Sequence, residues 1–70
     1  MKAINTQVGK NIKRRRNLLS LSQKVLADKV DLSRASIANI EAGKQGLSVK
    51  QLFIFAKSLK TKPVVLIRNC

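Results

Sequence analysis

The segment Ser33-Arg34-Ala35-Ser36-Ile37-Ala38-Asn39-Ile40-Glu41 gathers the side chains best suited to directional hydrogen bonding in this chain. At about 100° per residue, a helix over these positions puts Ile37 and Ile40 on one face and fans Arg34, Ala35, Ala38 and Asn39 across the other. Arg34 carries a planar fork of N–H donors that can engage O6 and N7 of a guanine together, and the Asn39 amide can donate and accept on an adenine edge. Ala35 and Ala38 are small enough for close approach, and their methyl groups suit contact with a thymine methyl. Plainer alternatives stand beside each: a phosphate clamp for Arg34, a solvated side chain or phosphate ligand for Asn39, and ordinary helix propensity for the alanines.

The charge points the same way. Fifteen Lys and Arg against three acids (Asp28, Asp31 and Glu41) leave a net charge of +12 on 70 residues, which favours a polyanionic partner. Phe53 and Phe55 are the only aromatic residues, too few for a module that stacks bases on rings or for a membrane-lying helix with an aromatic face. The chain has no His, and Cys70 is its single cysteine, so neither a metal site nor an internal disulfide is expected, and no cofactor. Nucleophilic and acid–base catalysis lack their usual parts, so no catalytic residue is assigned and an enzyme is not expected. No apolar run approaches the roughly 20 residues that span a bilayer, and no secretory leader is legible at Met1 to Gln7. A cytoplasmic protein with no membrane partner is the expectation.

Several elements must position that segment. The length suits one domain over 1–70, its core at about 6–67, with no room for a separate ligand-sensing unit. Val8, Ile12, Arg15 or Arg16 and Leu19 recur at helical spacing, predicting a first helix over 6–19 with Gly9 as a weak point. Ser22 can cap a second helix that carries Val25, Leu26 and Val30, and Ser33 a third that ends near Ala42, where Gly43 can turn left-handed. From a Ser48 cap, Val49, Leu52, Phe53, Ala56 and Leu59 form an amphipathic stripe that predicts the main core helix. Pro63 can open a last short helix, while Val64-Val65-Leu66-Ile67 is equally apt as a strand. The fold class predicted is all-α, a bundle of about five short helices.

Only Asp31 and Leu32 separate the second and third helices, the spacing of a helix-turn-helix. Together with Ile12 and Arg15-Arg16, the elements Leu21-Ser22-Gln23, Leu26-Ala27, Leu32-Ser33, Ser36-Ile37 and Ile40-Glu41 with Gly43 fall in one register. In that register the chain resembles the Cro and phage-repressor family of DNA-binding proteins, also called the xenobiotic-response-element type, from about Val8 to Ile67. Two positions depart from it: Asp31 stands where the family usually has a glycine at positive φ, and Gly46-Leu47-Ser48 stands where it often has a proline.

The resemblance implies a lambda-repressor-like domain whose third helix reads operator DNA in the major groove. It assigns Gln23, at the start of the second helix, to a phosphate, aided by the helix amides. Ser36 and Lys44 flank the groove-facing surface as backbone contacts, and Arg15 joins them on a phosphate from the basic face of the first helix, Lys10 to Arg16. Arg16 matches the arginine that pairs structurally with the glutamate at the end of the third helix, here Glu41.

One recognition helix reads only a few base pairs, so a two-fold homodimer is expected. Val64, Val65, Leu66 and Ile67 are the candidate dimer interface, a lid on the core being the alternative. The function expected is a sequence-specific transcriptional regulator, a repressor or autoregulator, bacterial or phage-encoded, with no small-molecule ligand. Phage Cro-type repressors, restriction-modification controllers and antitoxins remain open as contexts. The other class is an antitoxin or adaptor that binds a partner protein, with DNA binding secondary.

Overall fold

The computed structural model describes residues 2–68, so Cys70 lies outside the described residues. Five helices follow one another: α1 (Lys2–Leu18), α2 (Gln23–Val30), α3 (Arg34–Glu41), α4 (Val49–Ser58) and α5 (Pro63–Ile67). No strand occurs among the described residues. The three middle starts are set by serine caps: Ser22 Oγ accepts from Val25 N, Ser33 Oγ from Ser36 N, and Ser48 Oγ from Gln51 N. At α4 the Gln51 side chain also reaches back to Ser48 N, 3.0 Å away, completing a capping box.

Four helix ends share one device. Ser20, Asp31, Gly43 and Lys60 adopt φ of 57°, 60°, 79° and 55°, reversing the chain after α1, α2, α3 and α4. The reversed backbone returns amides to the helix's last carbonyls: Leu21 N to Arg16 O at 3.0 Å, Leu32 N to Ala27 O, Lys44 N to Asn39 O and Thr61 N to Ala56 O, each at 2.9 Å. Only one of the four is glycine, so three side chains occupy a region that Cβ–carbonyl contact disfavours.

The core is one cluster of Ile12, Leu26, Ala27, Val30, Ile37, Ile40, Phe55, Ala56, Leu59 and Leu66. Helix α1 packs on α3 and α5, α2 packs on α3 and α4, and α4 packs on α5. Gly9, expected as a weak point, is instead a point of contact: a Cβ there would run into the Ile40 carbonyl oxygen and lie 2.8 Å from Glu41 O. Backbone of α1 therefore rests directly on the end of α3.

Two sequence expectations are corrected and one open choice is settled. Helix α1 starts at Lys2, earlier than residue 6, because no Pro or Gly interrupts the residues ahead of Thr6. The segment left open between helix and strand is helix α5, with Pro63 at its first turn. The buried stripe of α4 is Leu52, Phe55, Ala56 and Leu59, whereas Val49 and Phe53 are 73% and 59% exposed. Both stripes obey helical spacing and share Leu52, Ala56 and Leu59, so periodicity alone did not separate Phe53 from Phe55.

Candidate nucleic-acid interface

Helix α3 has two chemically opposite sides. Ile37 and Ile40 are buried in the core, while Arg34, Ala35 and Asn39 are exposed and Ala38 is half-buried. No acid sits in the first turn of α2, α3 or α4, so the partial positive charge of each N-terminus is left uncancelled by its own helix. Ser36 is half-buried beside the α3 start, and its hydroxyl accepts from Ser33 Oγ at 3.1 Å. Lys44 is exposed one residue beyond the left-handed Gly43, its own amide tied to Asn39 O.

Beneath this surface lies a polar chain. Arg16 Nε donates to Glu41 Oε2 at 2.6 Å and Arg16 Nη2 donates to Glu41 Oε1 at 3.0 Å, a bidentate pair whose side chains are 10% and 4% exposed. Arg16 Nη1 also donates to Leu21 O at 2.8 Å, so one guanidinium holds the end of α3 and the turn that leads into α2. Gln23 Nε2 donates to Glu41 Oε1 at 3.1 Å, and Arg34 Nη1 lies 3.5 Å from Gln23 Oε1. Gln23, the first residue of α2, thus touches both the first and the last residue of α3. Neutralising Glu41 from behind leaves Asp28 and Asp31 as the exposed acids, and Asp28 faces Lys24 at 3.8 Å.

Arg15 is not on this surface's polar chain. Its Nε donates to Leu59 O at 2.9 Å and its Nη2 donates to Lys60 O at 2.8 Å, so its guanidinium closes the C-terminus of α4. Charge count in a basic run says nothing about carbonyls 44 residues away. Asn11 was missed altogether. It is buried, its Nδ2 donates to Leu66 O and Arg68 O at 2.9 Å each, and its Oδ1 accepts from Gln7 Nε2 at 3.1 Å. The Gln7 and Asn11 pair at i and i+4 was the available signal.

Among Val64 to Ile67, the structure separates what the sequence grouped. Leu66 is fully buried in the single chain and is corrected from interface to core, because the short helix must turn one side inward onto α1 and α4. Val64 and Ile67 are 56% and 50% exposed, and Val65 is half-buried. Ile67 lines an apolar groove of about 130 Å³ with Ile4, Val8, Val49 and Leu52.

Residues 12–66 match the family model HTH_3, helix-turn-helix. No match is found among curated proteins. The solved structure of the restriction-modification controller protein C.AhdI from Aeromonas hydrophila is similar at 26% identity with a TM-score of 0.86, over 91% of this chain and 97% of that one. The clp gene regulator ClgR from Corynebacterium glutamicum shares the fold at 16% identity and a TM-score of 0.87, over 90% of this chain and 67% of that one. The hydroxypropylphosphonic acid epoxidase from S. wedmorenis is similar at 26% identity and a TM-score of 0.92 over 97% of this chain, which spans only 36% of that enzyme. With its capped α2, its left-handed turn at Asp31 and its exposed α3 in the matched register, the chain belongs to the helix-turn-helix family of DNA-binding transcriptional regulators.

Proposed function

We propose that this chain is a repressor or autoregulator that reads duplex operator DNA with α3, acts as a homodimer in the cytoplasm, and catalyses no reaction. The observation that carries the reading is the composition of the exposed α3 face: Arg34, Ala35 and Asn39 stand outward from a helix whose inner face, Ile37 and Ile40, is 0% and 1% exposed. Arg34 and Asn39 are assigned to guanine and adenine edges, with Ala35 and Ala38 against thymine methyl groups. Gln23, Ser36 and Lys44 are assigned to phosphates, which set register without carrying sequence information.

Homodimerisation rests on apolar exposure. Val49, Phe53, Val64 and Ile67 are all at least half exposed on α4 and α5, which pack together. A second copy covering these side chains removes them from water. Similarity to a controller protein across 97% of that protein's length favours a controller-type regulator over an antitoxin.

Selection of bound sequences from random duplexes tests the reading. The expected result is an enriched site with two inverted half-sites whose centres lie about 10 base pairs, or a multiple of that, apart. Recovery of no preferred sequence would sink it.

A further inference from the structure

Much of the positive charge is not on the α3 side. Two grooves away from α3 hold six cations between them: Arg14, Arg15 and Arg68 in one of about 180 Å³, and Lys29, Lys57 and Lys60 in another of about 540 Å³. Arg15 joins them, since it lines the first groove while its Nη2 donates to the Lys60 carbonyl at 2.8 Å at the edge of the second. Among the described residues no carboxylate and no residue of α3 lines either groove. Cations at helix C-termini complement the macrodipole, which accounts for Arg15, Lys29 and Lys57 in the last turns of α1, α2 and α4. Lys60, next to the α4 C-cap, and Arg68, the α5 C-cap, fall under the same account, but Arg14 does not, and its addition only increases self-repulsion.

Apolar side chains are set among these cations. Leu18 and Ile54 are 68% and 37% exposed, and Val65, half-buried, lines the first groove with Leu18. A duplex would use the charged tips and leave such apolar floors uncovered. An acidic segment with interspersed apolar residues uses both. A second copy of this chain cannot provide it, because only Asp28, Asp31 and Glu41 are acidic and Glu41 is buried against Arg16.

We propose that this band docks an acidic, amphipathic segment of a partner protein, at a surface separate from the DNA-reading helix. Carboxylates of the segment sit on Arg14, Lys57 and Lys29, and its apolar side chains sit on Leu18 and Ile54. Docking of this kind leaves α3 free for DNA, because no residue of α3 lines either groove.

The probe is a labelled synthetic helical peptide with glutamate on one face and leucine on the other, followed by anisotropy with the full chain, free and loaded on duplex DNA. Saturable binding to both forms is expected. Arg14→Glu with Lys57→Glu should weaken the peptide about tenfold or more, some 1.4 kcal/mol per tenfold, and change duplex affinity far less. Leu18→Ser with Ile54→Ser should weaken the peptide while leaving a polyglutamate control unchanged. If the charge-reversed protein does not melt cooperatively, Arg14→Gln with Lys57→Gln gives the same reading at smaller amplitude. Displacement of the peptide by duplex, insensitivity to these substitutions, or duplex-induced shifts of the Arg14 and Lys57 amides would overturn the proposal and make the band a nucleic-acid surface.

Discussion

Gln23 Nε2 donates to Glu41 Oε1 at 3.1 Å, joining the first residue of α2 to the last residue of α3. Glu41 also takes two of the three bonds that Arg16 donates, so one carboxylate organises three helices. A carboxylate only accepts, which turns the Gln23 amide nitrogen toward Glu41 and leaves its oxygen toward Arg34.

Glu41→Ala removes that acceptor and leaves the Arg16 guanidinium buried without a counter-charge. The expected loss is about 3–5 kcal/mol, a large part of the net stability of a domain this small. Thermal unfolding checks it. Replacing both partners, with Arg16→Met and Glu41→Leu, should recover much of the loss; a single-variant loss below about 1 kcal/mol would show the pair to be unimportant.

Gly9→Ala sets two effects against each other. Alanine gains up to about 1 kcal/mol of helix propensity. Its Cβ, however, would meet the Ile40 and Glu41 carbonyl oxygens, which are backbone and cannot swing aside. Overpacking of about 1–3 kcal/mol should win, and the melting temperature should fall. A rise would mean that α1 can move off α3 freely.

Asp31→Gly should stabilise. Asp31 holds φ 60° and ψ 46° after α2, where an L side chain is strained and a negative charge opposes the helix C-terminus. The added freedom of glycine in the unfolded chain offsets part of the gain, leaving about 0.5–1 kcal/mol, or a rise of roughly 2–8 °C in melting temperature. Asp31→Val should do the opposite, since a β-branched side chain tolerates positive φ worst.

Ile67→Glu and Leu66→Glu separate interface from core one residue apart. Ile67 is 50% exposed, so its variant should stay folded and sediment as a monomer with weakened operator binding. Leu66 is fully buried, so its variant should unfold. An unchanged dimer for Ile67→Glu would move the interface elsewhere, with Phe53 and Val49 the next surface to probe.

Local chemistry was readable in advance; of the long-range chemistry, the Arg16–Glu41 pair, 25 residues apart, was legible only through the family resemblance. Ser22, Ser33 and Ser48 announce their helices because a cap depends on three neighbouring residues. The exposure of Arg34, Ala35 and Asn39 follows from helical rotation once Ile37 and Ile40 are placed inside. Arg15 and Asn11 defeat such reading, because their partners are carbonyls at the ends of α4 and α5, reached only when those helices pack on α1. For Val64 to Ile67 the β-branched composition fits helix and strand alike. There Pro63, with its φ already near the helical value and no amide to leave unpaired, opens the helix, and Leu66 packs into the core.

The most direct test of the account measures wild type, Arg34→Ala and Lys44→Ala on the selected operator and on a scrambled duplex, at one fixed salt concentration. Arg34→Ala should cost about 1–3 kcal/mol on the operator, relax preference at one base pair, and cost far less on the scrambled duplex. Lys44→Ala should weaken both duplexes by about the same factor, because a phosphate ligand carries no base information. If Arg34→Ala weakened both duplexes equally, Arg34 would be a phosphate clamp, and the claim that the outer face of α3 reads sequence through it would be contradicted.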